Sequence, residues 1–298
     1  AIQTNSITAA IETSVGNDSV LVKSAVAGVL AILTALVIFG GVTRIASWTQ
    51  VIVPFMAGAY IIMGVVVLVV NWREIPAMFE LIVGHALGLK EIAGAGVWLA
   101  FTQGMRRGLF SNEAGMGSAP NAAATAAVSH PAKQGFVQSL GVYFDTLIVC
   151  SATAFVVLLS NPAYGRGEAL GMQVTQGALQ QAVGAWAGPA LTVIIFFLAW
   201  SSVLGNTYYG EANIRYLAGK RADAAITVFR VLVLVCVVGG ALGSVALVWN
   251  LADTFAALMA TINLVAIIPL GGLAVKLLRD YERKLKAGMD PGFHLSDL

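Results

Sequence analysis

The amino-acid sequence predicts an all-α, polytopic helical membrane protein. Three observations predict it. Hydrophobic residues make up 58% of the 298 positions and charged residues only 11%, less than half of the roughly 25% charged that soluble domains carry; mean hydropathy is +0.83. Apolar windows close to the ~20 residues that a bilayer crossing needs recur along the chain. The cations between those windows fall mostly on one side when the windows are taken as alternating crossings.

The windows follow in order. The opening IQTNSITAAI, residues 2–11, is too short to cross and reads as a partial first helix. With neither an initiator Met nor a cleavable signal pattern, residues 1–298 read as the C-terminal part of a longer protein, forming a single transmembrane domain. Windows at 20–41 and 51–70 come next. IPAMFELIVGHALGL, residues 75–89, is short and amphipathic, as expected of a helix lying along the interface. The window at 92–110 starts as a membrane helix and loses its apolar character after about ten residues, a reading that rests on the ~20 a crossing needs. Windows at 136–159, 189–209, 224–247 and 251–277 complete about seven spans, with a second interfacial helix at 168–183 opened by Gly165, Arg166 and Gly167 and closed by Gly184. Ser118 and Pro120 can cap a short Ala-rich helix at 121–128. Pro54, Pro76, Pro131, Pro162 and Pro189 read as helix ends, and no linker divides the chain.

Alternating the crossings from the first window, all but Lys23, Arg73, Lys90 and Arg166 of the 17 Lys and Arg collect on one side, from Arg44 through Arg106, Arg107 and Lys133 to the run Arg279, Arg283, Lys284 and Lys286. The positive-inside rule makes that side, and the C-terminus, cytoplasmic. The count stays coherent only if the interrupted window also crosses.

Several function classes drop out. No basic stripe faces aromatic residues on a polar element, which argues against nucleic acid. Cys150 and Cys236 lie inside apolar runs and read as small packing residues. His85, His130 and His294 are too far apart for a metal motif, and no nucleophile–base spacing points to an enzyme.

Four places carry chemistry. The sequence IAGAGVWLAFTQGMRRGLFSNEAGMGSAP, residues 92–120, predicts a helix that breaks at Thr102, Gln103 and Gly104. A break inside lipid is tolerated where it lines a cavity or coordinates something, and in transporters it points to the substrate site. Gln103 both donates and accepts, as a zwitterion requires, and Trp98 and Phe101 can wall off a small side chain. Ser201 and Ser202, with the Leu198 carbonyl one turn earlier, offer uncharged oxygens suited to Na⁺, or simply bond back to that turn. Asp145 stands about ten residues into a span, where a carboxylate costs about 2.5–3.5 kcal/mol and needs a partner; a structural role is favoured over proton relay, and Asp253 and Asn263 are weaker signals of the same kind. Arg106 and Glu113, seven apart, can form a gating ion pair or a static surface pair.

The block RGLFSNEAGMGSAPNAAATA, residues 107–126, closely resembles the most characteristic block of the alanine or glycine:cation symporter family, the sodium:alanine symporters. HPAKQGFVQSLGVYFDTLIVCSATA (130–154), VIFGGVTRIA (37–46), VPFMAGAY (53–60) and YYGEANIRYL (208–217) match in kind and order. The resemblance implies a leucine-transporter-type fold of two inverted five-helix repeats with broken first and sixth helices. Residues 2–11 would then end the third helix, with Gln3 and Asn5 near the substrate. The interrupted window would be the sixth helix, and 189–209 the eighth, whose hydroxyls Ser201 and Ser202 would serve a sodium site. Trp200 stands where a smaller aromatic is expected and so bears on pocket size. The family's first broken helix, with its Gly-Thr-Gly-Asn type segment, is absent from this sequence, as is its second helix. The implied function is therefore that of a parent protein: symport of alanine or glycine with Na⁺ across the plasma membrane, with Na⁺ as coupling ion and no cofactor. A proton-coupled carrier and a non-transporting membrane sensor or partner subunit are the alternatives.

Overall fold

The computed structural model describes residues 1–40, 42–87, 94–159 and 171–294, and the regular elements among them are all helical. Helix α1 (Ile2–Val15) stops at Gly16, whose φ of 68° lets its N–H turn back to the Glu12 carbonyl, the left-handed glycine stop that L side chains resist. α2 (Val20–Ile38) starts at Ser19, whose hydroxyl accepts the Val22 N–H. α3 (Val42–Val70) starts earlier than its apolar window and runs straight through Pro54, which sequence pattern had put at a helix end. Membrane helices tolerate an internal Pro because neighbouring groups take up the freed carbonyl. A 3₁₀ turn leads into α4 (Ile75–Ala86), the first amphipathic segment, which is helical as expected.

α5 (Gly94–Ser111), the short α6 (Ala119–Ala123), α7 (Pro131–Phe144) and α8 (Ser151–Leu159) follow. A π-helical turn, Asp145–Cys150, joins α7 to α8, so that 131–159 is one long span. α9 (Met172–Val183) is the second amphipathic helix; its expected opening at 165–167 lies outside the described residues. α10 (Ala187–Ala218), α11 (Ala222–Leu242) and α12 (Val245–Lys286) close the chain.

Among the described residues, six helices are long and apolar enough to cross a membrane: Val20–Ile38, Gln50–Val70, Pro131–Leu159, Ala187–Ala218, Ala222–Leu242 and Val245–Lys286. The chain is thus a polytopic helical membrane protein. The seventh expected span, 92–110, whose first two residues lie outside the described ones, is not among them. α5 carries Thr102, Gln103, Arg106, Arg107 and interspersed glycines, which pull its hydropathy below that of a spanning helix. α12 has 42 residues, about 63 Å at 1.5 Å per residue, roughly twice the ~30 Å hydrocarbon core. Large apolar side chains such as Leu258, Ile262 and Val265 on α12 point outward, as they do where lipid replaces water as the solvent.

The chain divides into two compact units. In the first (Ala1–Phe101 and Val149–Ala252), α10 is the common spine. One half of it packs Trp200, Val203 and Leu204 against Ile7 of α1, Leu30 and Ile38 of α2 and Val237 of α11. The other half packs Leu191 and Ile194 against Met63 and Val67 of α3, Val156 of α8 and Leu179 of α9. Gly240 lets α11 press on α1: a Cβ there would lie 2.3 Å from the Ala1 carbonyl oxygen. Toward the end of α10, Glu211 is fully buried and receives two hydrogen bonds from Arg230 of α11, at 2.6 and 2.9 Å. The same guanidinium lies over the Phe39 ring at 5.6 Å.

The second unit (Thr102–Ile148 and Asp253–Leu298) holds the end of α5, α6, α7 and most of α12. His130 anchors it. The ring is fully buried, accepts the Ala132 N–H at 3.1 Å as the cap of α7, and sets its Nε2 3.4 Å from Asp280. Tyr281 and Phe293 pack against the imidazole. Phe293 also donates its N–H to the Ser129 carbonyl, and Lys133 reaches Asp290, so the residues after α12 are strapped to the start of α7.

Candidate functional site

The backbone does not open at Thr102, Gln103 and Gly104. α5 is helical through all three and ends only at Ser111. Single glycines in a helix cost only about 1 kcal/mol each relative to Ala, so Gly104 and Gly108 weaken this helix without breaking it. The opening comes eight residues later, over 112–118, where Glu113, Gly115 and Gly117 take φ values of 49°, 75° and 89°. Two glycines allow the left-handed turns without a Cβ penalty. Glu113 is the one non-Gly residue with positive φ among those described. Its carboxylate accepts the Ser118 hydroxyl at 2.6 Å, tying the two ends of the opened segment together. Ser118 is therefore not the side-chain cap of α6, and that helix ends at Ala123 rather than 128 because its neighbours turn out of it.

The start of the segment is bonded back onto α5: Asn112, Glu113 and Ala114 donate their N–H groups to the carbonyls of Gly108, Phe110 and Leu109, at 3.1, 3.3 and 3.1 Å. Met116 donates to the Glu113 carbonyl at 3.2 Å, and Asn121 donates to the Gly117 carbonyl at 3.0 Å. Asn263 of α12 donates to the Gly115 carbonyl at 2.9 Å. Among the described residues, no hydrogen bond is made by the N–H of Gly115 or Gly117. Left-handed turns that leave neighbouring N–H groups free form an anion-binding concavity.

The lip of the segment is pinned to the π-helical turn. Ser111 donates to Asp145 at 2.6 Å, and Asn112 donates to Thr146 at 2.9 Å. π-Helical turns interrupt the regular ladder and occur often at functional sites. Asp145 thus finds its partner at the end of α5. Among the described residues Arg106 and Glu113 form no pair with each other, neither as a gate nor as a static surface pair. Glu113 holds Ser118, and the neighbouring Arg107 reaches Asp253 at 3.4 Å, half-exposed on both sides.

In the other unit, Leu198, Ser201 and Ser202 are brought together. Both hydroxyls donate to the Leu198 carbonyl, at 2.8 and 3.2 Å, the back-bonding that helical Ser commonly adopts. Three uncharged oxygens therefore converge on one turn of α10, and each hydroxyl keeps lone pairs for a cation. Trp200 is buried in the α10–α2 core and donates its indole N–H to Thr34 at 3.1 Å. Asn5 is buried with its amide committed to the carbonyls of Gly240 and Gly243 at 3.0 and 2.8 Å, while Gln3 is half-buried on the same helix. Trp98 and Phe101 stack on each other at 5.9 Å and are exposed, as is Gln103; Thr102 is half-buried, and nothing lies within 4 Å of a Cβ placed on Gly104.

Sequence reasoning missed Gln176 of α9. Its fully buried amide reaches the Ala10 carbonyl at 3.0 Å and Thr192 at 2.8 Å, joining three helices. A Gln on the inner face of an amphipathic helix was its only signal. The Glu211–Arg230 pair was missed too, because residues 19 positions apart on different helices leave no local pattern.

The family model described as the sodium:alanine symporter family matches residues 1–295. The amino-acid carrier protein AlsT of Bacillus subtilis is 45% identical over 298 residues, covering 100% of this chain and 62% of AlsT. The probable sodium/glutamine symporter GlnT of the same organism is 42% identical, covering 99% of this chain and 60% of GlnT. The sodium/alanine symporter AgcS of Methanococcus maripaludis is 38% identical, covering 92% of this chain and 59% of AgcS. The chain spans about three-fifths of the length of these relatives. It belongs to the sodium:alanine symporter family, whose members are membrane transporters of amino acids and not enzymes.

Proposed function

We propose that the carrier built around this chain moves a small neutral amino acid, alanine or glycine, together with Na⁺ across the plasma membrane. The observation that carries the reading is the opened segment 112–118, with its left-handed glycines and the uncommitted N–H groups of Gly115 and Gly117. Such groups suit the carboxylate of a zwitterion, and helices interrupted by unwound backbone hold substrate in secondary transporters. The substrate grip thus moves from Gln103 to this segment. Na⁺ is the only accessory species required, and Leu198, Ser201 and Ser202 are the oxygens on this chain that would face it. Sodium would favour the arrangement in which the helices clasp the amino acid, and release would follow as the bundle, of leucine-transporter type, rocks open toward the cytoplasm. The cationic bias of the loops supports a cytoplasmic C-terminus provided that α5 also crosses, as the alternating count requires.

The relative AgcS is named for sodium and alanine, and GlnT for sodium and glutamine. The test is uptake of radiolabelled alanine, glycine and glutamine into proteoliposomes of a relative-length carrier containing this chain. A sodium gradient should drive accumulation of the two small amino acids. Uptake indifferent to sodium would defeat the coupling, and preference for glutamine would defeat the substrate assignment. Proton coupling is the second reading, favoured by Asp145 and its 2.6 Å bond to Ser111 at the lip of the segment. It requires uptake driven by a pH gradient without sodium and lost in Asp145→Asn.

A further inference from the structure

One side chain of α12 touches the opened segment twice. Asn263 Nδ2 donates to the Gly115 carbonyl at 2.9 Å. A Cβ built on Gly117 would lie 3.0 Å from both Cγ and Oδ1 of the same residue. Asn263 is half-buried, while Ile262 and Leu264 on either side are exposed. The carboxamide thus fills the space that any side chain at position 117 would need, and it takes a carbonyl that lipid could not satisfy.

The peptide between Gly115 and Met116 is a rigid plane, with its C=O and N–H pointing in opposite directions. Pinning the Gly115 carbonyl therefore aims the Met116 N–H as well, and that group donates to the Glu113 carbonyl at 3.2 Å. One peptide is clamped from both sides. The peptides flanking it carry the uncommitted N–H groups of Gly115 and Gly117. We propose that Asn263 is a positioning residue: by clamping the 115–116 peptide it presents the two flanking N–H groups to the amino-acid carboxylate. This inference rests on the reading that segment 112–118 grips the substrate.

The chemistry separates Asn from its near neighbours. Asp has the same shape but, when ionised, only accepts, so it would face the Gly115 carbonyl with a second acceptor. Ala removes both the donor and the packing on Gly117. The experiment uses Asn263→Asp and Asn263→Ala in the relative-length carrier, with radiolabelled alanine as probe and hydrogen exchange at 112–118 as an independent readout. In both variants, exchange in the segment should rise tenfold or more while that of α10 stays unchanged. The KM for alanine should rise tenfold or more with the maximal rate within twofold, a split that general destabilisation would not give. Unchanged exchange in both variants overturns the clamp. Faster exchange with an unchanged KM leaves Asn263 holding the segment but overturns the positioning of substrate; the grip reading itself falls only if saturating alanine with Na⁺ fails to slow exchange at 112–118 in the unsubstituted carrier. Should Asn263→Ala fail to reach the membrane, Asn263→Ser replaces it under the same criteria.

Discussion

Arg230→Met tests whether α10 and α11 are locked by charge. Glu211 is fully buried, and its carboxylate receives both hydrogen bonds of the guanidinium, at 2.6 and 2.9 Å. Removing Arg230 leaves that carboxylate buried without a partner, a change that costs about 3–5 kcal/mol in buried pairs. Loss of the cation–π contact to Phe39 at 5.6 Å adds about 0.5–1 kcal/mol. Removing both charges is different, because an apolar pair of similar volume escapes the desolvation penalty; Glu211→Leu with Arg230→Met should fall within about 1 kcal/mol of the parent protein. The double variant should therefore be more stable than Arg230→Met alone. The assay is unfolding in mild detergent titrated with sodium dodecyl sulfate, followed by tryptophan fluorescence and read as a double-mutant cycle. The reasoning is refuted if Arg230→Met is no less stable than the double variant, since Glu211 would then be solvated rather than buried.

Other perturbations have equally definite outcomes. Gly240→Ala drives a Cβ to 2.3 Å from the Ala1 carbonyl oxygen and should destabilise by about 1–3 kcal/mol through displacement of α1, seen as a lower midpoint in the same titration. Asn5→Leu leaves the Gly240 and Gly243 carbonyls without their donor, at about 1–3 kcal/mol for each, and should leave the KM for alanine unchanged because that amide is already committed. His130→Ala empties the contact beneath Tyr281 and Phe293; trypsin should then cut within 283–286 several times faster, and an unchanged rate would mean the strap does not depend on the imidazole. Gly117→Ala imposes a left-handed φ of 89° on an L residue, about 1–2 kcal/mol by itself, and should abolish alanine uptake at protein levels where Gly104→Ala retains it.

The helices were legible because hydrophobic length is a strong signal in lipid. Windows such as 20–41 and 189–209 found α2 and α10 within a few residues, though α10 runs on to Ala218 through polar residues that no hydropathy window includes. The opened segment was only partly legible. The interruption of the apolar pattern at Thr102, Gln103 and Gly104 marks where α5 becomes polar, not where it ends, since none of those residues breaks a helix. α5 stops instead through left-handed Glu113, where the N–H groups of Glu113 and Ala114 turn back to Phe110 and Leu109, a helix end that a non-glycine residue does not announce; Gly115 and Gly117 keep the chain open beyond it, and Pro120 lies in the first turn of the next helix. Asp145 was read as a carboxylate within a span that needs a partner, and Ser111 of α5 donates to it. The π-helical turn that carries Asp145 has no composition signature. Asn263 was read only as a weak polar signal within its span, and Gln176 and the Glu211–Arg230 pair not at all, for a common reason: each acts across helices brought together only by the fold.

The most direct measurement compares two single-cysteine carriers, Met116→Cys in the opened segment and Gly104→Cys in α5, for protection from a maleimide by saturating alanine in the presence of Na⁺. Alanine should slow labelling at position 116 at least tenfold and leave position 104 unaffected. Protection at 104 with none at 116 would contradict the account, returning the substrate to the middle of an intact helix.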